Sequence, residues 1–137
     1  NNGALADWHL FGTSGFETHP NDGTVLTDPI NDQIVYMTTD QGIGASTDQG
    51  YHIFEIDDGI EAVQVNDLSM TQSKNKAWVA TKSGIRRVDN YMTSPTWTNA
   101  LFPLGDGSPY FSIEMGHLNT NVVYTGNVRI YKSTDNG

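Results

Sequence analysis

Short apolar runs alternate with clusters of Gly, Asn, Asp, Ser and Thr along the whole chain, and none of them shows the three-to-four-residue spacing of an amphipathic helix. Three runs read alike: Ile34-Val35-Tyr36-Met37, Ala77-Trp78-Val79-Ala80 and Val122-Val123-Tyr124. Each follows a polar turn, at Asn31-Asp32, Lys74-Asn75 and Asn119-Thr120, where residue types that bond their own backbone favour a reversal. Before each turn lies another extended run, over residues 24–27, 63–68 and 110–113. The first two apolar runs also lead into a Thr-x-x-Gly-Ile pattern, Thr39 to Ile43 and Thr81 to Ile85, which predicts a hairpin with glycine at a positive-φ position. The pattern thus predicts an inner strand, an apolar second strand and a third strand, three times over. The near-continuous run from Ile34 to Met37 predicts a second strand covered on both faces.

The repeat has a measurable period. Tyr36 to Trp78 is 42 residues and Trp78 to Tyr124 is 46. A separate set of aromatic residues, Trp8, Phe54 and Trp97, is spaced by 46 and 43. Both sets fit the roughly 40–50-residue period of four-stranded propeller blades. The predicted fold is therefore all-β, about three four-stranded blades of an incomplete β-propeller. Residues 1–20 would end one blade, 21–59 and 60–104 would form two more, and 105–137 would start a further one. Tyr36, Trp78 and Tyr124 should each lie on the second strand of a sheet. Because a blade buries its faces only against neighbours, the chain is not expected to close on itself, and its partners should be the remaining blades, in the same or another chain.

Ser46-Thr47-Asp48-Gln49-Gly50 and Ser133-Thr134-Asp135-Asn136-Gly137 resemble the Asp-box (BNR-type) repeat of sialidases, sortilin-type receptors and xyloglucan-active glycosidases. The two copies are 87 residues apart, and the middle unit keeps only Thr96-Trp97-Thr98 where a box at Val88-Asp89-Asn90 is expected. The resemblance implies that Ser46, Asp48, Gly50, Ser133, Asp135 and Gly137 are structural, with side-chain oxygens accepting from turn N–H groups and glycine supplying positive φ. It also implies a secreted or cell-surface protein in which the segment is a scaffold or a protein or glycan recognition module.

Composition narrows the field. A net charge of −9 argues against nucleic acid or anionic lipid as partner, and no run of apolar residues is long enough for membrane insertion. With no cysteine there is neither a disulfide framework nor a thiolate metal site. His9, His19, His52 and His117 lack metal-ligand spacing, Asp28-Pro29-Ile30-Asn31-Asp32 lacks the alternation of a calcium loop, and Asp57-Asp58-Gly59 reads as a turn. No metal and no cofactor is expected.

Asp40 is the candidate for catalysis, since Thr39-Asp40-Gln41-Gly42 resembles part of the turn that carries a catalytic Asp in xyloglucan-active glycosidases. The middle repeat places Lys82 in the same turn, which favours a structural reading, and no second carboxylate of a glycosidase pair is identified. Sialidase chemistry would require three converging arginines, whereas the chain has Arg86, Arg87 and Arg129, the first two adjacent and so directed to opposite faces of a strand. Arg86 and Arg87 are candidates for docking an acidic loop of another blade or partner. Tyr36, Trp78, Tyr110, Phe111 and Tyr124 are expected to be core rather than a sugar-stacking platform.

Overall fold

The computed structural model describes residues 24–56, 60, 63–73 and 75–137. The described residues form eleven strands: β1 (Val25–Thr27), β2 (Val35–Thr39), β3 (Gly42–Ser46), β4 (Phe54–Glu55), β5 (Val65–Met70), β6 (Lys76–Thr81), β7 (Gly84–Asp89), β8 (Thr96–Trp97), β9 (Ser112–Met115), β10 (Val123–Gly126) and β11 (Ile130–Ser133). They form three antiparallel sheets in chain order, β1-β2-β3-β4, β5-β6-β7-β8 and β9-β10-β11, each a simple meander. This is an all-β, incomplete β-propeller, as the apolar period predicts. Trp8, His9, His19 and the Asp57-Asp58-Gly59 turn lie outside the described residues.

Turn chemistry sets the register. In the first sheet Thr39 pairs with Gly42, and in the second Thr81 pairs with Gly84. In both hairpins the threonine hydroxyl donates to the glycine carbonyl, at 3.2 Å from Thr39 and 2.8 Å from Thr81, and accepts from the N–H two residues on, that of Gln41 or Ser83. Gly42 and Gly84 both have positive φ, 137° and 85°. Tyr36, Trp78 and Tyr124 all lie on second strands and pair with Ala45, Arg87 and Lys132 on the third.

Two apolar cores separate the sheets. Tyr36, Ile43 and Ala45 meet Leu68, Ala77, Val79 and Val88, with Ile60 between. On the opposite side of the middle sheet, Trp78, Ala80 and Ile85 meet Tyr110, Ile113, Met115 and Val123. Alternate residues of β6 thus face different sheets, and Ala77 through Thr81 are all buried. The expected two-sided cover is found on this strand; in β2, Val35 and Met37 are half-buried among the described residues.

Three details depart from the sequence reading. The second and third inner strands begin later than expected, at Val65 and Ser112; before the third, Tyr110 is fully buried in the second core and its N–H bonds across to the Thr81 carbonyl, outside its own sheet. Phe111 and Tyr124 are not core: they are 55% and 42% exposed. Tyr124 occupies the position of Trp78, and among the described residues no sheet packs against the face it lies on.

Candidate functional site

A meander places the β2–β3, β6–β7 and β10–β11 turns at the same end as the connections between sheets. Asp40 is on the first of these turns and is half-buried, while Lys82, its counterpart, is exposed. The Thr39 and Thr81 hydrogen bonds are the same in both turns, so the local frame around Asp40 is that of a repeat-wide hairpin. Arg86 leaves β7 on one face, where its Nη1 donates to Thr81 Oγ1 at 3.0 Å and to the Ser83 carbonyl at 3.1 Å; burial lowers the pKa of its guanidinium. Arg87 points the other way, toward the third sheet.

At that end the sequence reading missed Asp106. Its Oδ2 accepts from Tyr131 Oη at 2.6 Å, Asn127 Nδ2 at 3.1 Å and Arg129 Nη1 at 3.3 Å, and its Oδ1 accepts from the Ser108 N–H at 3.0 Å. Bonding to Ser108, then to Tyr131, holds the carboxyl well below the usual carboxylate range. Its carbonyl accepts from Tyr110 Oη, so one residue ties the connection from the second sheet to the β10–β11 hairpin. Such a permanently ionised, fully bonded group suits anchoring better than proton transfer.

Asp67, also missed, lies on the innermost strand of the middle sheet. The pairing shifts between Val65 and Asp67, and this bulge leaves Asn66 buried with its amide bonded to the Tyr110 carbonyl at 2.7 Å. Asp67 then reaches both neighbours: Oδ1 accepts from Thr24 Oγ1 at 2.8 Å and from the Leu68 N–H, and Oδ2 accepts from the Ile113 N–H at 2.8 Å. One carboxylate therefore links the inner strands of all three sheets.

The opposite end carries the outer turns. Ser46 Oγ donates to Asp48 Oδ1 at 2.8 Å and accepts from the N–H of Asp48 and of Gly50, while Asp48 Oδ1 also takes the His52 N–H. Ser133, Asp135 and Gly137 repeat the pattern, with Ser133 Oγ to Asp135 Oδ1 at 2.6 Å and Gly137 N–H to Ser133 Oγ at 2.8 Å. Positive φ is shared by the glycine and the residue before it, Gln49 with Gly50 and Asn136 with Gly137, rather than resting on glycine alone. The middle sheet keeps an aspartate, Asp89, before the equivalent residue but has neither the serine nor the glycine, with Tyr91 in the glycine's place; Asn90 still has φ 57° and its N–H bonds the Asn75 carbonyl, as those of Gln49 and Asn136 bond Gln33 and Asn121. The His52 imidazole bonded to Asp48 draws that carboxyl from 3.8 down to about 2.

The outer turn of the third sheet docks on the middle one. Arg87 Nη1 donates to the Asn136 carbonyl at 3.1 Å and Lys76 Nζ to Asn136 Oδ1 at 2.8 Å. Arg87 also lies 5.8 Å from the centre of the Trp78 ring, with Asp89 bracing its Nε. The acceptor of Arg87 on the third sheet's outer turn is a main-chain carbonyl and not an acidic side chain.

The remaining oxygen cluster is local. Asp28 is buried, its Oδ1 accepting from the Ile30 and Asn31 N–H groups and its Oδ2 from Tyr36 Oη at 2.9 Å. His117 and Glu114, both exposed, approach to 3.5 Å beside a groove of about 400 Å³ bordered by Leu26, Leu68, Met70 and Met115.

No protein-family model matches the chain, and no curated protein sequence matches it. Solved structures do. An ancestral GH74 enzyme is similar over 83% of this chain and 17% of its own, with a TM-score of 0.65 and 19% identity. The GH74 xyloglucanase of Xanthomonas campestris is similar over 82% and 20%, with a TM-score of 0.58 and 12% identity. PorZ of Porphyromonas gingivalis, described as a surface component of the type-IX secretion system, is similar over 80% and 17%, with a TM-score of 0.53 and 16% identity. The chain spans about a fifth of the length of these proteins, and at such identities the likeness is one of fold.

Proposed function

We propose that this chain is a segment of a secreted or cell-surface β-propeller of the Asp-box type, acting as a scaffold or as a protein or glycan recognition module of a larger protein. In this reading residues 21–59, 60–104 and 105–137 belong to successive blades, 1–20 ends an earlier one, and Ser46, Asp48, Gly50, Ser133, Asp135 and Gly137 are box residues that hold outer turns. The observation that carries it is that Asp67 and Arg87 join one sheet to the next, and Asp106 ties the connection after the second sheet to the β10–β11 hairpin, rather than converging on a pocket. The likeness in fold to a propeller surface component and to propeller enzymes supports the setting.

A second reading, part of a glycoside hydrolase acting on β-glucan-type polysaccharide with Asp40 as acid or base, is favoured by the GH74 likeness alone. The test is turnover of xyloglucan and other β-glucans by the intact protein and by its Asp40→Asn variant. Absence of turnover in both supports the module. Turnover that the substitution abolishes while the melting temperature is unchanged supports the hydrolase.

A further inference from the structure

Three outer faces can be compared position by position. On the middle sheet, the cross-strand pair Trp78 and Arg87 receives the outer turn of the third sheet. The receiving surface admits only glycine at the end of that turn, since a Cβ on Gly137 would lie 2.5 Å from Trp78 Cη2. On the first sheet the equivalent pair is Tyr36 and Ala45, without a cation, and the outer turn of the sheet that packs against it is the one lacking the serine and the glycine, with Tyr91 in the glycine's place. The cation and the complete turn are thus present together at one interface and absent together at the other.

On the third sheet the equivalent pair is Tyr124 and Lys132. Lys132 Nζ stands 5.5 Å from the centre of the Tyr124 ring, close to the 5.8 Å of Arg87 over Trp78, so the cation is already in place over its aromatic partner. The face is open: Tyr124 is 42% exposed and Ile130 84%. A charge held over an exposed ring, continuing the series of two interfaces already formed, points to the same kind of occupant.

We propose that Tyr124 and Lys132 form the receptor for the outer turn of a further propeller blade, and that this turn has the Ser-x-Asp-x-Gly form. Lys132 donates to the main-chain carbonyl of the residue before the glycine, and the glycine lies flat on the Tyr124 ring. The inference rests on the propeller reading above, and the test separates the two.

The experiment is tyrosine nitration by tetranitromethane in the full-length protein, read peptide by peptide, together with thermal unfolding of the Lys132→Ala and Lys132→Arg variants. Tyr51, 58% exposed, is the exposed reference, and Tyr36 and Tyr110, 6% and 0% exposed, are the buried ones. The proposal expects Tyr124 to be protected like Tyr36 and Tyr110. It expects Lys132→Ala to lower the melting temperature by about 2–4 °C and to restore nitration at Tyr124, and Lys132→Arg to do neither. Nitration of Tyr124 at the rate of Tyr51, with Tyr36 and Tyr110 protected, overturns the proposal and leaves the stacked sheets intact. Protection of Tyr124 that is indifferent to Lys132→Ala also overturns it, because the cover then does not use the cation. Nitration of Tyr36 and Tyr110 at the rate of Tyr51 overturns the propeller reading along with it.

Discussion

A carboxylate that accepts from two strands at once sets the strength of a joint. Asp67→Ala removes the acceptor of the Ile113 N–H and of the Thr24 hydroxyl without opening a large cavity. An orphaned buried donor costs about 1–3 kcal/mol, so the midpoint of urea unfolding should fall accordingly, and Asp67→Asn, which keeps one acceptor, should lose less. Asp48 governs a different observable. Its carboxyl titrates at about 2 in the folded chain against 3.8 ordinarily, so the unfolded chain binds its proton first as pH falls. The stabilisation is complete above about pH 4 and is lost as pH drops through about 2. Urea midpoints measured from pH 5 to pH 2 should therefore fall less steeply in Asp48→Asn than in the unchanged protein; equal slopes would show that the His52 contact does not persist in solution.

At the scale of the element, the hairpins between second and third strands depend on glycine. Gly84 has φ +85°, and a Cβ there would meet the Leu101 carbonyl at 2.8 Å. Gly84→Ala should cost about 1–3 kcal/mol through backbone strain, visible in the thermal midpoint. Lys82→Ala on the same turn is exposed and should change it by less than about 0.5 kcal/mol. These hairpins were legible from the sequence because every determinant is local: the threonine, its hydroxyl's two partners and the glycine lie within four positions. Asp67 and Asp106 were not legible for the converse reason. Asp67 reaches Thr24 and Ile113, 43 and 46 residues away, and Asp106 reaches Arg129 and Tyr131, 23 and 25 residues away, so in the sequence they look like a polar break in a strand and a Gly-Asp-Gly turn.

For the molecule as a whole, stability follows from the sheets being stacked in a row. The middle sheet is covered on both faces, and Trp78, fully buried in the second core, is its largest side chain there. Trp78→Ala should cost about 3–5 kcal/mol and should also free the turn at Asn136-Gly137, read as faster amide exchange at Asn136. Tyr124→Ala, at the same place in the repeat but on the open face, should cost far less in any preparation where that face is uncovered. The period of the aromatics predicted the shared position correctly; it could not predict the difference in burial, because burial depends on what lies against the sheet and not on the strand itself.

The outer turn of the middle sheet has its left-handed residue and its hydrogen bond to the Asn75 carbonyl without the serine and the glycine of the other two. The main-chain bond defines the turn, and the side chains only reinforce it. A sheet of this kind can therefore stand without the full motif. A census taken by searching for Ser-x-Asp-x-Gly finds two where the described residues hold three sheets. The spacing of the second-strand aromatics is the more durable ruler.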